Sequence, residues 1–163
     1  MRPLPALSTI LLALAGLVGG AEPAADRTEN NAVVPVPKLE NDIGTNNFSG
    51  TRNARESTPA EVAEGIQAIC DRIRSKSPET RIVLMGVFPR GASPKDGFRP
   101  KIAALNGLLA AFAKEKGMTY LDLGAKMLEP DGTLPREIMR DSVHPTEKGY
   151  ALWASALKAV LKD

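Results

Sequence analysis

Cysteine and histidine are nearly absent from this chain, which has one of each among its 163 residues. A single cysteine excludes a disulfide within the chain. One histidine with one distant cysteine also excludes the usual structural zinc patterns, so no metal site is expected. Cys70 lies at helical spacing beside apolar positions, and we interpret it as a small core residue rather than a reactive thiol.

The chain also lacks a large excess of either positive or negative charge. The chain has 21 Lys and Arg against 19 Asp and Glu, which gives a formal net charge of +2. No basic stripe runs along the sequence, so no nucleic-acid partner is expected. The length is that of one domain.

One long apolar run lies close to the N-terminus. Arg2 precedes the run at 6–18, and small residues at 19–21 follow it. This order is typical of a secretory signal, and we predict cleavage after Ala21. A membrane anchor is disfavoured because about 13 apolar residues are too few where about 20 are needed to span. The position of Cys70 disfavours a lipoprotein. We therefore expect a signal peptide at 1–21, no stable membrane anchor, and a secreted or periplasmic protein.

The remaining pattern predicts an α/β domain. Residues 22–42 are rich in Ala, Pro, Asn and charge, and are expected to form an extended arm. The residues at 58–61 match a capping box with proline at the first helical position. Predicted elements follow in order: a helix from there to about 77, a strand at 81–88, a helix from about 100 to 117, a strand at 118–123 and a helix from about 146 to 161. Strands that alternate with helices favour a three-layer α/β/α domain with a parallel sheet over 43–163.

The only histidine, His144, follows Asp141 by three residues. A neutral imidazole can accept the proton of a serine hydroxyl and return it to a leaving alcohol, while a nearby carboxylate holds the ring in the right tautomer. The alternative is an exposed histidine beside a helix N-terminus, with Asp141 as a cap. The spacing alone does not separate the two interpretations.

A second polar pattern occurs at 43–47, Ile-Gly-Thr-Asn-Asn. A glycine followed by amides suits a tight turn after a strand, and an asparagine there could donate its N–H to a developing oxyanion. An ordinary Asx-rich turn is the alternative interpretation.

Together these motifs resemble the SGNH/GDSL hydrolases, most closely the branch similar to platelet-activating factor acetylhydrolase. The resemblance covers about 43–161 and is carried by I-G-T-N-N at 43–47, F-P-R-G at 88–91 and D-S-V-H-P-T-E-K-G-Y at 141–150. It implies a flavodoxin-like fold and hydrolysis of carboxylic esters, such as acetyl or short acyl esters of a lipid or glycan, without a cofactor. By the same resemblance His144 is the base, Asp141 orients it, and Asn46 and Gly44 belong to the oxyanion hole.

The chain departs from this family in lacking a nucleophile. The family has a G-D-S block, yet no serine after residue 21 follows Gly-Asp, and there is no G-x-S-x-G elbow. Ser49, Ser57 and Ser142 lie nearest the motifs, and none is predicted on a strand-to-helix turn, so no nucleophile is assigned.

The strand that should lead into the G-x-N block is also missing, because the residues at 38–42 are mostly polar. We therefore expect an incomplete sheet without its first strands, and interpret this as the loss of a segment between Asp42 and Ile43. The expected product is an esterase-derived chain that is inactive or nearly so. A glycan- or partner-binding remnant, and a chain that does not fold stably, stay open as alternatives. A homo-oligomer also stays open, since related proteins can pair.

Overall fold

The computed structural model describes residues 9–12, 48 and 57–161. The elements in chain order are β1 (Thr9–Leu12), α1 (Pro59–Lys76), β2 (Arg81–Met85), α2 (Phe98–Glu115), β3 (Thr119–Leu121), α3 (Gly124–Met127) and α4 (Glu147–Leu161). All strand pairs described are parallel. The predicted α/β class with a parallel sheet is therefore confirmed.

The sheet has the order β1-β2-β3, with β2 in the centre. Val83 of β2 lies opposite Leu11 on one side and Thr119 on the other. The pattern from residue 43 onward predicts two strands, at 81–88 and 118–123, and the structure forms both in shorter versions, β2 over Arg81–Met85 and β3 over Thr119–Leu121. The third strand, β1, comes from within the predicted signal peptide, whose cleavage stays a prediction.

α1 begins where the capping box predicts. The Thr58 Oγ1 accepts a hydrogen bond from the Glu61 N–H at 3.2 Å, and the Glu61 Oε2 accepts one from the Thr58 N–H at 2.8 Å. Two amides that the first helical turn cannot pair are thereby satisfied. The structure starts α2 slightly earlier than predicted and adds α3, which was not predicted.

β2 is buried on both faces. Successive side chains of a strand point in opposite directions, so its residues pack into two different clusters. Ile82 and Leu84 face one cluster of buried residues, and Met85 faces another. We name the first the α1–α2 core: Phe48, Val62, Ala63, Ile66, Cys70, Ile82, Leu84, Val87, Ile102, Leu105, Leu109, Phe112 and Ala113. We name the second the α4 core: Met85, Phe88, Leu123, Met127, Leu134, Ile138, Met139 and Ala156.

Cys70 belongs to the α1–α2 core and is 1% exposed. Its burial raises the pKa of the thiol, so the neutral and less reactive form is favoured. The interpretation of Cys70 as a core residue is confirmed.

Candidate active site

The segment 138–146 forms a closed loop directly before α4. The Thr146 N–H donates to the Ile138 carbonyl at 2.9 Å, and the Arg140 N–H donates to the His144 carbonyl at 3.0 Å. Met139 and Pro145 lie opposite each other in an antiparallel bridge. These contacts pair the two arms of the loop and leave residues 141–144 at its tip. We call this segment the histidine loop.

The structure brings the two predicted residues of the tip together. The Asp141 Oδ2 lies 2.6 Å from the His144 Nδ1. The other carboxylate oxygen, Oδ1, accepts the backbone N–H of His144 at 2.8 Å and that of Val143 at 3.1 Å. The carboxylate is thus fixed by the backbone on one side while it holds the ring on the other.

These hydrogen bonds also keep Asp141 ionised. The pKa of the Asp141 carboxyl lies well below its usual range. The largest cause is the hydrogen bond from the backbone N–H of His144, and the second is the hydrogen bond from the His144 imidazole. Donors that bind only the charged form of a carboxyl favour that form. An ionised Asp141 then selects the ring tautomer that carries its proton on Nδ1, so that Nε2 has a free lone pair.

The site is open to solvent. The His144 side chain is 32% exposed and that of Asp141 is 47% exposed. The ring is thus held at Nδ1 by the carboxylate while the side chain stays partly exposed, an arrangement that general acid–base chemistry requires. Across residues 57–161, no serine hydroxyl hydrogen-bonds to the His144 ring.

Ser142 lies between these two residues in an unusual backbone conformation. Its φ is 66°, in the left-handed region that costs an L-residue about 1–2 kcal/mol. The Ser142 N–H donates to the Met139 carbonyl, and the Ser142 carbonyl accepts the Gly91 N–H, both at 3.1 Å. The sequence singles out Gly91 only as the last residue of F-P-R-G, and its contact with the histidine loop was not predicted.

α4 lies directly against the histidine loop because residue 149 has no side chain. A Cβ at Gly149 would collide with the Ile138 carbonyl oxygen and would come within 3.1 Å of the Pro145 Cβ. The Thr146 hydroxyl accepts the Gly149 N–H at 3.3 Å. This packing accounts physically for the glycine that follows His144 by five residues.

The other predicted site residues lie outside the described part of the chain. Gly44 and Asn46 are among them, so their place in an oxyanion hole stays a prediction. Ser49 is also outside, while Ser57 immediately precedes the capping residue of α1. Among the described residues, no three His, Cys, Asp or Glu side chains are grouped so that they could hold a metal ion.

A family model for GDSL-like lipases and acylhydrolases matches residues 41–152. The chain belongs to this family. The chain is similar to the platelet-activating factor acetylhydrolase IB subunit alpha2 of Gallus gallus, with 36% identity over 110 residues that make up 67% of this chain and 44% of the relative. The human alpha1 subunit is 32% identical over 120 residues, 73% of this chain and 48% of that subunit. The chain thus spans less than half the length of these relatives.

Solved structures extend the likeness to the fold. A GDSL-like lipase from Bacteroides thetaiotaomicron superposes with a TM-score of 0.59 and 21% identity, over 73% of this chain and 58% of that protein. The esterase domain of the zebrafish ZfL2-1 retrotransposon ORF1 protein gives a TM-score of 0.56 and 22% identity, over 74% and 69% of the two chains. At these identities the comparisons support the α/β fold of the family.

Proposed function

We propose that this chain carries the acid–base half of a Ser-His-Asp ester-hydrolase site and is itself catalytically inactive, or nearly so. In this proposal His144 is the general base, Asp141 its orienting carboxylate, and Asn46 with Gly44 part of the oxyanion hole. The bond class is the carboxylic ester. The names of the acetylhydrolase relatives favour acetyl or other short acyl esters of a lipid or carbohydrate.

The observation that carries the proposal is the geometry at Asp141. Its carboxylate accepts the His144 Nδ1–H at 2.6 Å while two backbone amides fix the other oxygen. Capping a helix would not require the Asp141 carboxylate to contact the imidazole of His144. The short ring contact therefore favours the orienting role over the capping role.

The proposed inactivity follows from the missing nucleophile. Without a serine hydroxyl no acyl-enzyme can form, and the oxyanion hole loses the N–H of that serine as well. One oxyanion donor is worth about 3–4 kcal/mol where its removal has been measured. Water activated by His144 alone should therefore give little hydrolysis.

The finer architecture is part of the same proposal. Cores on both faces of β2 support a three-layer, flavodoxin-like arrangement. Apart from β1, which pairs with β2, we expect the first strands of the family to be missing. We attribute the missing strands to a segment lost between Asp42 and Ile43. The coding DNA around these two codons tests this point, since an intact G-D-S reading frame there would show that the segment is still encoded.

We also propose that the chain is secreted or periplasmic, with residues 1–21 removed. Within the described residues no helix is long and apolar enough to cross a membrane. If cleavage occurs after Ala21, the pairing of β1 with β2 belongs to the uncleaved chain. Mass spectrometry of protein collected outside the cell or from the periplasm should find Glu22 at the N-terminus, and a mature protein that still begins at Met1 would contradict cleavage.

Hydrolysis of p-nitrophenyl acetate tests the activity. We expect the chain to melt cooperatively and to hydrolyse the ester at nearly the rate of its His144→Ala variant. Hydrolysis well above that of the variant would contradict the proposed inactivity. A non-cooperative melt with strong binding of a hydrophobic dye would instead show that the chain does not fold stably.

A further inference from the structure

The segment 87–91, which leaves β2, is held along its length by α2. The Asn106 side chain makes two hydrogen bonds with the backbone of Val87: its Oδ1 accepts the Val87 N–H at 2.8 Å, and its Nδ2 donates to the Val87 carbonyl at 3.0 Å. The Asn106 carbonyl in turn accepts the Tyr120 hydroxyl at 3.2 Å. The start of the segment is therefore fixed relative to both α2 and β3.

The end of the segment is held by Arg99, seven residues earlier on α2. Residues seven apart lie on the same face of a helix. The Arg99 Nε donates to the Arg90 carbonyl at 2.8 Å, and its Nη2 donates to the Gly91 carbonyl at 2.9 Å. A planar guanidinium has donors on separate nitrogens in a fixed geometry, so it can bind two neighbouring carbonyls at once. The three donors of a lysine ammonium all lie on one nitrogen and fit such a pair less well.

The two hydrogen bonds from Arg99 orient Gly91 toward the histidine loop. Gly91 has a φ of 84°, and a Cβ there would overlap the Asp96 carboxylate. In this conformation the Gly91 N–H donates to the Ser142 carbonyl at 3.1 Å. Ser142 is the strained residue directly after Asp141, so an outside contact helps to hold it in the left-handed region.

We propose that Arg99 is a positioning residue for the Asp141–His144 pair. It acts through the Gly91 carbonyl, the Gly91 N–H and the Ser142 carbonyl, and so sets the backbone on which the carboxylate and the imidazole meet. This inference rests on the proposed function of the pair. It also explains the F-P-R-G segment, whose last residue, Gly91, is bound by α2 through its carbonyl and binds the histidine loop through its N–H.

The single histidine makes the proposal measurable without catalysis. A two-bond proton–nitrogen NMR correlation of a neutral imidazole shows which ring nitrogen carries the proton, and in this chain every such signal belongs to His144. In the parental protein we expect the tautomer with the proton on Nδ1 to be the major form. The variants are Arg99→Lys, which keeps the charge, Arg99→Met, which removes all donors, and Arg72→Lys on the exposed surface of α1 as the matched control.

The expected result is a graded shift. Arg99→Met should move the tautomer ratio toward Nε2–H, Arg99→Lys should lie between Arg99→Met and the parental protein, and Arg72→Lys should leave the ratio unchanged. A merely structural role would lower the melting temperature without changing the ratio in the folded protein. Parental ratios in both folded Arg99 variants would overturn the proposal. Loss of cooperative melting in Arg99→Lys would also overturn it, because positioning the loop does not require a role in the core.

An Asp141→Asn variant separates this inference from the proposed function. It should shift the tautomer ratio at least as far as Arg99→Met, because an asparagine whose oxygen accepts the backbone N–H groups of Val143 and His144 would turn its NH2 group, a donor, toward Nδ1. If Asp141→Asn leaves the ratio unchanged, the proposed orienting role of Asp141 is wrong. If only the Arg99 variants leave it unchanged, Asp141 keeps its role and the inference about Arg99 alone fails.

Discussion

Replacing Gly149 by alanine should destabilise the protein although alanine favours helices. Gly149 lies in the first turn of α4, and its added Cβ would collide with the Ile138 carbonyl oxygen and crowd the Pro145 Cβ at 3.1 Å. Overpacking of this kind costs about 1–3 kcal/mol. The helical preference for alanine over glycine returns about 0.5–1 kcal/mol. Because the collision is with a backbone oxygen, we expect a net loss of about 1–2 kcal/mol, or a fall of roughly 2–8 °C in Tm for a chain of this size.

Gly107→Ala is the matched control. Gly107 lies inside α2, and a Cβ there would meet no atom within 4 Å. Its replacement should stabilise the protein by about 0.5–1 kcal/mol. Thermal melts followed by circular dichroism measure both effects, and the NMR signal of His144 should move only in Gly149→Ala. If both substitutions stabilise the protein equally, α4 does not need close contact with the histidine loop.

Three further predictions concern other parts of the structure. The pKa of Asp141 is lowered in the folded state, so its contribution to stability is present above the unfolded pKa of about 3.9 and is lost as the pH falls through the folded pKa. The difference in free energy of unfolding between the parental protein and Asp141→Asn, measured by urea titration, should therefore be largest near neutral pH and shrink below about pH 4; a difference independent of pH would refute this. Gly91→Ala should cost more than about 1 kcal/mol in the same titration, because φ is positive and Asp96 occupies the space; a neutral result would contradict the described backbone. A chain that begins at Glu22 should melt at a lower temperature than the full chain because β1 no longer pairs with β2, and equal melting temperatures would show that β1 adds no stability.

The elements that sequence patterns predict well are those with local signals. The capping box at Thr58 and Glu61 places the start of α1, and the apolar run at 81–88 places β2, since both depend on neighbours in the sequence. α3 has only four residues and no periodicity, so nothing local predicts it. The sequence does not predict β1, because its apolar composition is equally typical of a leader and its partner strand lies about 70 residues away.

The candidate site divides in the same way. Asp141 and His144 are three residues apart and carry a recognisable spacing, so the sequence points to the pair that the structure brings together. The support from Gly91 and Arg99 reaches across the fold, and no spacing in the sequence indicates it. The left-handed φ of Ser142 is likewise set by contacts with both Met139 and Gly91 rather than by its residue type.

The central claim, a formed base without a nucleophile, is tested most directly with a fluorophosphonate probe and mass spectrometry of the intact protein. The account predicts no covalent adduct under conditions that fully label an intact serine esterase. A stoichiometric adduct on one defined serine, absent in His144→Ala, would contradict it, because that serine would then be a nucleophile activated by His144.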